Sequence, residues 1–211
     1  MTRTNSVPDF ALTGCVLAGG MGTRLGGVDK GWLEVAGTPL IQRVLDRLQT
    51  QVNTGLINAN RGIDEYAQFG WPVVADLVSD FAGPLAGISA ALDVARTDWV
   101  LFVPVDAARL PDDLALRLCA AVRQNGSSAA FVCTSDGPMP VCCLLSRGLR
   151  DDLRQALADG ERSVIAWLRR HQATTVSYEE WPREFWSVNT PEERQRLEEL
   201  LNGYETTEQS Q

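Results

Sequence analysis

One glycine-rich segment carries the residue types that bind phosphate groups. It runs from Leu17 to Lys30, contains five glycines and directly follows a buried apolar strand predicted over Leu12–Leu17. Glycine lets backbone N–H groups come close to an anion, and Arg24 and Lys30 add positive charge. Lys30 is the only lysine in a chain that otherwise uses arginine. The segment therefore predicts a loop that holds the phosphates of a nucleotide.

Neither of the two standard nucleotide motifs fits this segment. A P-loop needs Gly-Lys-Ser/Thr, whereas Lys30 stands between Asp29 and Gly31. A dinucleotide fingerprint would need glycine at the position of Leu25. The residues also allow a plainer interpretation, a flexible turn with solvated Arg24 and Lys30, since a glycine loop alone is weak evidence.

Polar side chains stand at the ends of three other predicted strands. These are Asn58, Asp76 and Asp106. In an open α/β sheet, ligands bind outside the carboxyl ends of the strands, which would bring these side chains to the glycine-rich segment. Asp106 could hold Mg²⁺ against a triphosphate, and Asn58 and Asp76 could bind a ribose or base. Alternatively, they are ordinary turn residues.

The composition excludes several other functions. A net charge of −8 argues against a general nucleic-acid binder, since phosphate contacts need a basic face. One histidine, His171, and five scattered cysteines cannot supply a histidine-rich metal site, and we interpret His171 as a solvated surface residue. No apolar run approaches the roughly 20 residues of a membrane span, and no signal peptide is recognisable. Cysteines in apolar runs favour buried thiols and a cytoplasmic location.

Strand-like and helical segments alternate along the chain. The alternation predicts an open three-layer α/β/α fold with a mostly parallel, Rossmann-like sheet. We predict one domain over residues 11–202, a short extension over 1–10 and a disordered tail over 203–211. Helices are predicted over Thr38–Gln49, with Thr38 as N-cap, and from Thr190 to about Leu201.

The stretch Leu17–Gly31 reads Leu-Ala-Gly-Gly-x-x-x-Arg-x-Gly-Gly-x-Asp-Lys-Gly, and it resembles the signature of molybdenum cofactor guanylyltransferases. Further matches to that family follow in its order. They are Gly37-x-Pro39-Leu40, Asn58-x-Asn60-Arg61, Asp80-x-x-Gly83-Pro84-Leu85-Ala86-Gly87, Pro104-x-Asp106, Leu110-Pro111 and Asn189-Thr190-Pro191-Glu192. Together they cover the chain from about Thr13 to Leu200, so the resemblance implies a nucleotidyltransferase domain.

Members of that family transfer GMP from GTP to molybdopterin carrying molybdenum and release pyrophosphate, with Mg²⁺. The resemblance implies GTP and Mo-molybdopterin as substrates, and transient contact with molybdoenzyme apoproteins or chaperones. It implies Lys30, Arg24 and Asp106 as the catalytic set. It assigns GTP binding to Leu17, Ala18, Gly19, Gly20, Lys30, Asn58, Asp76 and Asp106. Asp106 would also hold Mg²⁺, and Gly83, Pro84 and Asn189 would lie on the pterin side.

Some positions depart from the family pattern, and related functions stay open. Leu25 and Val105 are conservative changes, whereas Ala107, Ala108 and Met139 fall on the expected pterin side. A cytidylyltransferase for the same pterin or a sugar-phosphate nucleotidyltransferase would share the glycine-rich segment. A non-catalytic carrier of guanine nucleotide or pterin would bind the same ligands without releasing pyrophosphate.

Overall fold

The computed structural model describes residues 10–19, 29–76, 83–181, 188 and 190–208. Its main feature is a seven-stranded sheet. The strands are β1 (Leu12–Leu17), β4 (Thr54–Asn58), β5 (Val73–Val74), β6 (Trp99–Pro104), β7 (Ala129–Thr134), β8 (Gly137–Ser146) and β9 (Thr174–Ser177), and a separate hairpin pairs β2 (Glu34–Val35) with β3 (Thr38–Pro39). Their order across the sheet is β5-β4-β1-β6-β8-β7-β9. Within the seven-stranded sheet, every neighbouring pair is parallel except the two that include β8.

Helices cover both faces of the sheet. They are α1 (Leu40–Leu48), α2 (Ile63–Ala67), α3 (Pro84–Val94), α4 (Leu114–Asn125), α5 (Arg150–Ala158), α6 (Val164–Arg170) and α7 (Pro191–Glu208). Alternate residues of β6 belong to different cores: Leu101 and Val103 pack with α1 and α4, whereas Phe102 packs with α3, α5 and α6. Because successive strand side chains point to opposite faces, this alternation places the sheet between two helical layers. The predicted three-layer, mostly parallel fold is therefore confirmed.

The first helix begins later than predicted. Thr38 and Pro39 form β3, which pairs with β2, and α1 starts at Leu40. The residues Ala36 and Gly37 that connect the two strands both have positive φ, at 49° and 73°. Thr38 pairs with Val35 instead of capping a helix. The prediction of Thr38 as N-cap was wrong because the hairpin uses its backbone.

The last helix extends beyond its predicted end. It continues to Glu208, so residues 203–208, predicted as a disordered tail, are helical. The helix begins with reciprocal hydrogen bonds between Thr190 and Glu193, and it contains no proline after Pro191 that would end it. Leu197 and Leu201 pack with Val35, Leu40 and Ala108 in a third small core. Among the described residues, the structure has no helix that is long and apolar enough to cross a membrane.

Candidate active site

The carboxyl ends of three neighbouring strands form the floor of the candidate site. Leu17, the last residue of β1, pairs with Asn58 of β4 on one side and with Pro104 of β6 on the other. The pairing continues past the strand ends, because the Ala18 amide donates to the Asn58 carbonyl at 2.8 Å and the Val105 amide donates to the Leu17 carbonyl at 3.1 Å. The sheet thereby places the start of the glycine-rich segment beside two of the predicted polar residues.

Lys30 and Asp106 form an ion pair at this edge. The Lys30 ammonium lies 2.9 Å from Asp106 Oδ2, and the two side chains are 25% and 14% exposed. Partial burial strengthens the attraction between the charges, yet both groups remain open to a ligand from solvent. The structure thus brings together the cation and the carboxylate that the sequence singled out separately.

A second polar group lies at the ends of β4 and β5. The Asn58 side chain is buried and donates to Asp76 Oδ1 at 2.8 Å and to the Val74 carbonyl at 3.1 Å. Asn60 donates to Asp76 Oδ2 at 2.8 Å and accepts from the Asp76 amide at 2.8 Å. Both oxygens of the Asp76 carboxylate are therefore held by amide groups. Asn60 was not among the predicted site residues; its place in the Asn-x-Asn-Arg motif was the available signal.

Helix α3 joins this second group through a glycine. A Cβ on Gly87 would lie 2.1 Å from Asn58 Oδ1, so the first turn of α3 packs directly on the Asn58 side chain. The helix begins at Pro84, and Gly83 before it has a φ of 69°. Both residues are exposed. Gly83 and Pro84 thus stand about one helical turn before Gly87, the residue that packs on Asn58.

Two of the departures from the family pattern have buried side chains. Ala107 is fully buried in the core below α1 and α4, and Ala108 is 3% exposed in the third core beside α7. Met139 is partly buried and also packs on the first core. The side chains at 107 and 108 therefore pack inside the protein and do not line an acceptor surface.

Three predicted site residues, Gly20, Arg24 and Asn189, lie outside the described residues. The described part of the chain contains no cluster of three or more His, Cys, Asp or Glu side chains that could hold a metal ion by itself. Within these residues, Asp106 is therefore not part of a ready-made metal cluster.

Four buried cysteine thiols are poor nucleophiles. Burial raises the pKa of the Cys119 thiol to about 12 and also raises the pKa values of Cys15, Cys142 and Cys143, so these thiols stay protonated.

The interpretation of His171 as a solvated residue was wrong. Its Nε2 lies 2.7 Å from Asp152 Oδ1, and its ring packs on Trp167 with 4.7 Å between centroids.

Comparison with known proteins agrees with this geometry. The profile of the MobA-like NTP transferase domain matches residues 14–175. The molybdenum cofactor guanylyltransferase of Shewanella sp. (strain MR-4) is 40% identical over 187 residues, which cover 89% of this chain and 95% of the relative.

Two solved structures share the fold at lower identity. Molybdopterin-guanine dinucleotide biosynthesis protein A from Archaeoglobus fulgidus superposes with a TM-score of 0.72 at 23% identity, covering 90% of this chain and 99% of that protein. A Mycobacterium tuberculosis protein solved in complex with manganese superposes with a TM-score of 0.66 at 20% identity, covering 90% and 98%. By its profile match and its identity to the Shewanella enzyme, the chain belongs to the molybdenum cofactor guanylyltransferase family.

Proposed function

We propose that this protein transfers GMP from GTP to Mo-molybdopterin, forming the guanine dinucleotide cofactor and releasing pyrophosphate. The observation that carries the proposal is the Lys30–Asp106 pair at the carboxyl edge of the sheet, in a chain that is 40% identical to a molybdenum cofactor guanylyltransferase. A cation and a carboxylate beside a glycine-rich strand end suit a triphosphate with its metal ion.

The reaction needs positioning more than acid–base chemistry. A terminal phosphate oxygen of the acceptor attacks the α-phosphorus of GTP. A new P–O bond forms as the bond from the α-phosphorus to the bridging oxygen breaks, and pyrophosphate leaves with that electron pair. Because a phosphate is already an anionic nucleophile at neutral pH, no side chain must remove a proton from it. The protein contributes alignment and charge neutralisation.

The side chains and backbone of the described edge have separate roles in this scheme. Leu17, Ala18 and Gly19 line the nucleotide through their backbone, and Gly20 continues that surface. Lys30 offsets negative charge on the triphosphate, and Arg24 is the proposed second cation. Gly83, Pro84 and Asn189 are proposed to face the pterin.

Asn58 and Asp76 are proposed to bind the guanosine part. Each Asp76 oxygen accepts one hydrogen bond from an amide side chain, and each has further acceptor capacity. Guanine offers N–H donors on the edge that pairs with cytosine, which a fixed carboxylate can accept. Asn58 and Asn60 hold the Asp76 carboxylate in place before the ligand arrives. Binding of the base therefore does not require this carboxylate to become ordered.

The donor set at Asp106 fits a magnesium ion shared with a nucleotide. Mg²⁺ prefers oxygen ligands and is usually held by one or two carboxylates together with substrate phosphates and water. Asp106 supplies one such carboxylate, and a structural neighbour was solved with manganese. When bound, the ion would offset negative charge on the phosphates. The proposed setting for the whole reaction is the cytoplasm, with transient contact to molybdoenzyme apoproteins or chaperones.

Pyrophosphate release measures this function directly. Purified protein is given Mg²⁺, one of GTP, CTP, ATP or UTP, and either Mo-molybdopterin or a sugar phosphate as acceptor. We expect release that depends on GTP and on Mo-molybdopterin. Preference for CTP would indicate a cytidylyltransferase, and a requirement for a sugar phosphate would indicate a sugar-phosphate nucleotidyltransferase. GTP binding without pyrophosphate release would indicate a non-catalytic carrier. Each of these results would overturn the proposal.

Asp106→Asn tests the site within the same assay. The amide keeps the shape of the side chain but loses its charge, so we expect transfer to fall by about 100-fold or more. Asp112→Asn is the matched control, because Asp112 is an exposed aspartate six positions along that pairs with Arg47. Equal activity of the two variants would contradict the role of Asp106.

A further inference from the structure

Lys30 follows Asp29, whose negative charge would repel a triphosphate. In the structure, the Asp29 carboxylate is instead occupied by hydrogen bonds within the protein. Asp29 Oδ1 accepts a hydrogen bond from the Gly31 amide at 3.0 Å and another from the Tyr66 hydroxyl at 2.8 Å. Asp29 is thereby the N-cap of the short 3₁₀ helix Lys30–Trp32. The same carboxylate oxygen therefore links the turn that contains Lys30 to Tyr66 of α2.

Tyr66 also contacts this turn through its shape. A Cβ on Gly31 would lie 2.2 Å from the Tyr66 hydroxyl oxygen, so the backbone of the turn rests directly on the phenol. The Trp32 ring packs against the Tyr66 ring with 5.4 Å between centroids. Asp29 and Trp32, on either side of Lys30 and Gly31, are therefore both in contact with Tyr66.

Tyr66 is itself firmly placed. It is fully buried in the first core, on helix α2, which follows the Asn58–Arg61 stretch at the end of β4. Burial and the neighbouring Asp29 carboxylate raise the pKa of its phenol well above the usual range. The hydroxyl thus stays protonated and remains a donor to Asp29 throughout the physiological pH range.

We propose that Tyr66, acting through Asp29, is a positioning residue for Lys30. The Tyr66–Asp29–Gly31 contacts set the start of the 3₁₀ helix from which the lysine side chain reaches Asp106. Tyr66 touches no reacting group in this scheme. The inference rests on the proposed function, because it assumes that Lys30 acts on the triphosphate.

A double-mutant cycle separates positioning from general stability. Tyr66→Phe removes one hydroxyl and keeps the ring, so the fold is retained, which thermal unfolding verifies. We expect kcat for GTP-dependent pyrophosphate release to fall about 10-fold with little change in KM for the acceptor, since a small misplacement costs that much. In a Lys30→Ala background, Tyr66→Phe should have no further effect.

Three further variants test the positioning role. Tyr178→Phe is the matched control, because Tyr178 is also a buried tyrosine that donates to an aspartate, Asp113, at 3.0 Å; its kcat should equal that of the wild type. Asp29→Asn keeps an oxygen that accepts from Tyr66 and Gly31, so it should retain most activity, whereas Asp29→Ala should lose about as much as Tyr66→Phe.

The outcomes distinguish this inference from the function beneath it. If Lys30→Ala turns over like the wild type, both the role of Lys30 and the positioning role are overturned. If Lys30→Ala is impaired but Tyr66→Phe is not, only the positioning role fails. An equal loss on Tyr66→Phe in the two backgrounds would show a structural effect independent of Lys30, and it also overturns the inference.

Discussion

Lys30 and Asp106 lie 2.9 Å apart although they are 76 positions apart in the chain. Lys30 belongs to the segment that leaves β1, and Asp106 follows β6, the parallel neighbour of β1. The contact is therefore a product of strand order. Because the two charges attract each other, moving one side chain changes the electrostatic environment of the other.

Lys30→Arg should impair the enzyme although it keeps the charge. An arginine is longer, and its planar guanidinium binds a carboxylate with two parallel hydrogen bonds, which would hold Asp106 in a different arrangement. We expect kcat to fall about 10-fold to 100-fold, measured by GTP-dependent pyrophosphate release. Thermal unfolding should match the wild type.

Arg170→Lys is the control for this exchange, since Arg170 is exposed at the end of α6. It should change neither turnover nor unfolding temperature. Wild-type turnover in Lys30→Arg would mean that positive charge alone is sufficient, and the site would then not depend on the compact ammonium group.

Local sequence signals were enough to bring the candidate site residues to one edge of the sheet. Apolar runs that end at Asn58, Asp76 and Asp106 are visible within a few residues of each polar side chain. The three-layer fold followed from the alternation of segments. These features were predictable because a strand and the residue that follows it are neighbours in the sequence.

The residues that hold the site residues in place could not be predicted from neighbouring positions in the sequence. Tyr66 holds a residue 37 positions earlier, and Asn60 acts on Asp76 only because β4 and β5 pair. A lone tyrosine in a helical segment gives no local sign of such a partner. The same reason explains the error at His171, whose partner Asp152 lies on α5. The error at Thr38 is of another kind, because its hairpin partner Val35 is only three positions away.

Gly87→Ala should weaken GTP binding through Asn58. Alanine favours a helix by about 1 kcal/mol over glycine, so a loss cannot come from helix propensity. The added Cβ would lie 2.1 Å from Asn58 Oδ1, which must then move and release Asp76. Loss of a buried hydrogen bond costs about 1–3 kcal/mol, so we expect GTP affinity, measured by calorimetry, to fall about 10-fold.

Gly14→Ala separates this effect from general destabilisation. Its Cβ would lie 3.0 Å from Leu48 in the first core, in the middle of β1 and away from Asn58. It should lower the unfolding temperature while leaving GTP affinity unchanged. If both variants lose affinity alike, the contact between Gly87 and Asn58 has no special part in nucleotide binding.

Asp152→Ala should reduce stability in a pH-dependent way. Burial raises the pKa of Asp152, but hydrogen bonds from Trp167 and His171 outweigh it and leave the pKa below 3.8, its unperturbed value. A carboxylate with a lowered folded pKa contributes stability that is present above pH 3.8 and is lost as the pH falls through the folded value. Denaturant unfolding between pH 5 and pH 2 measures this contribution.

The difference in free energy of unfolding between the wild type and Asp152→Ala should therefore be largest at pH 5 and shrink below pH 3.8. Asp98→Ala provides the control, because Asp98 is an exposed aspartate that lies away from Trp167 in the chain and follows α3. Its difference from the wild type should stay small throughout. A constant difference for Asp152→Ala across this range would mean that the side chain stabilises α5 and α6 by packing, because a packing contribution does not depend on the charge of the carboxylate.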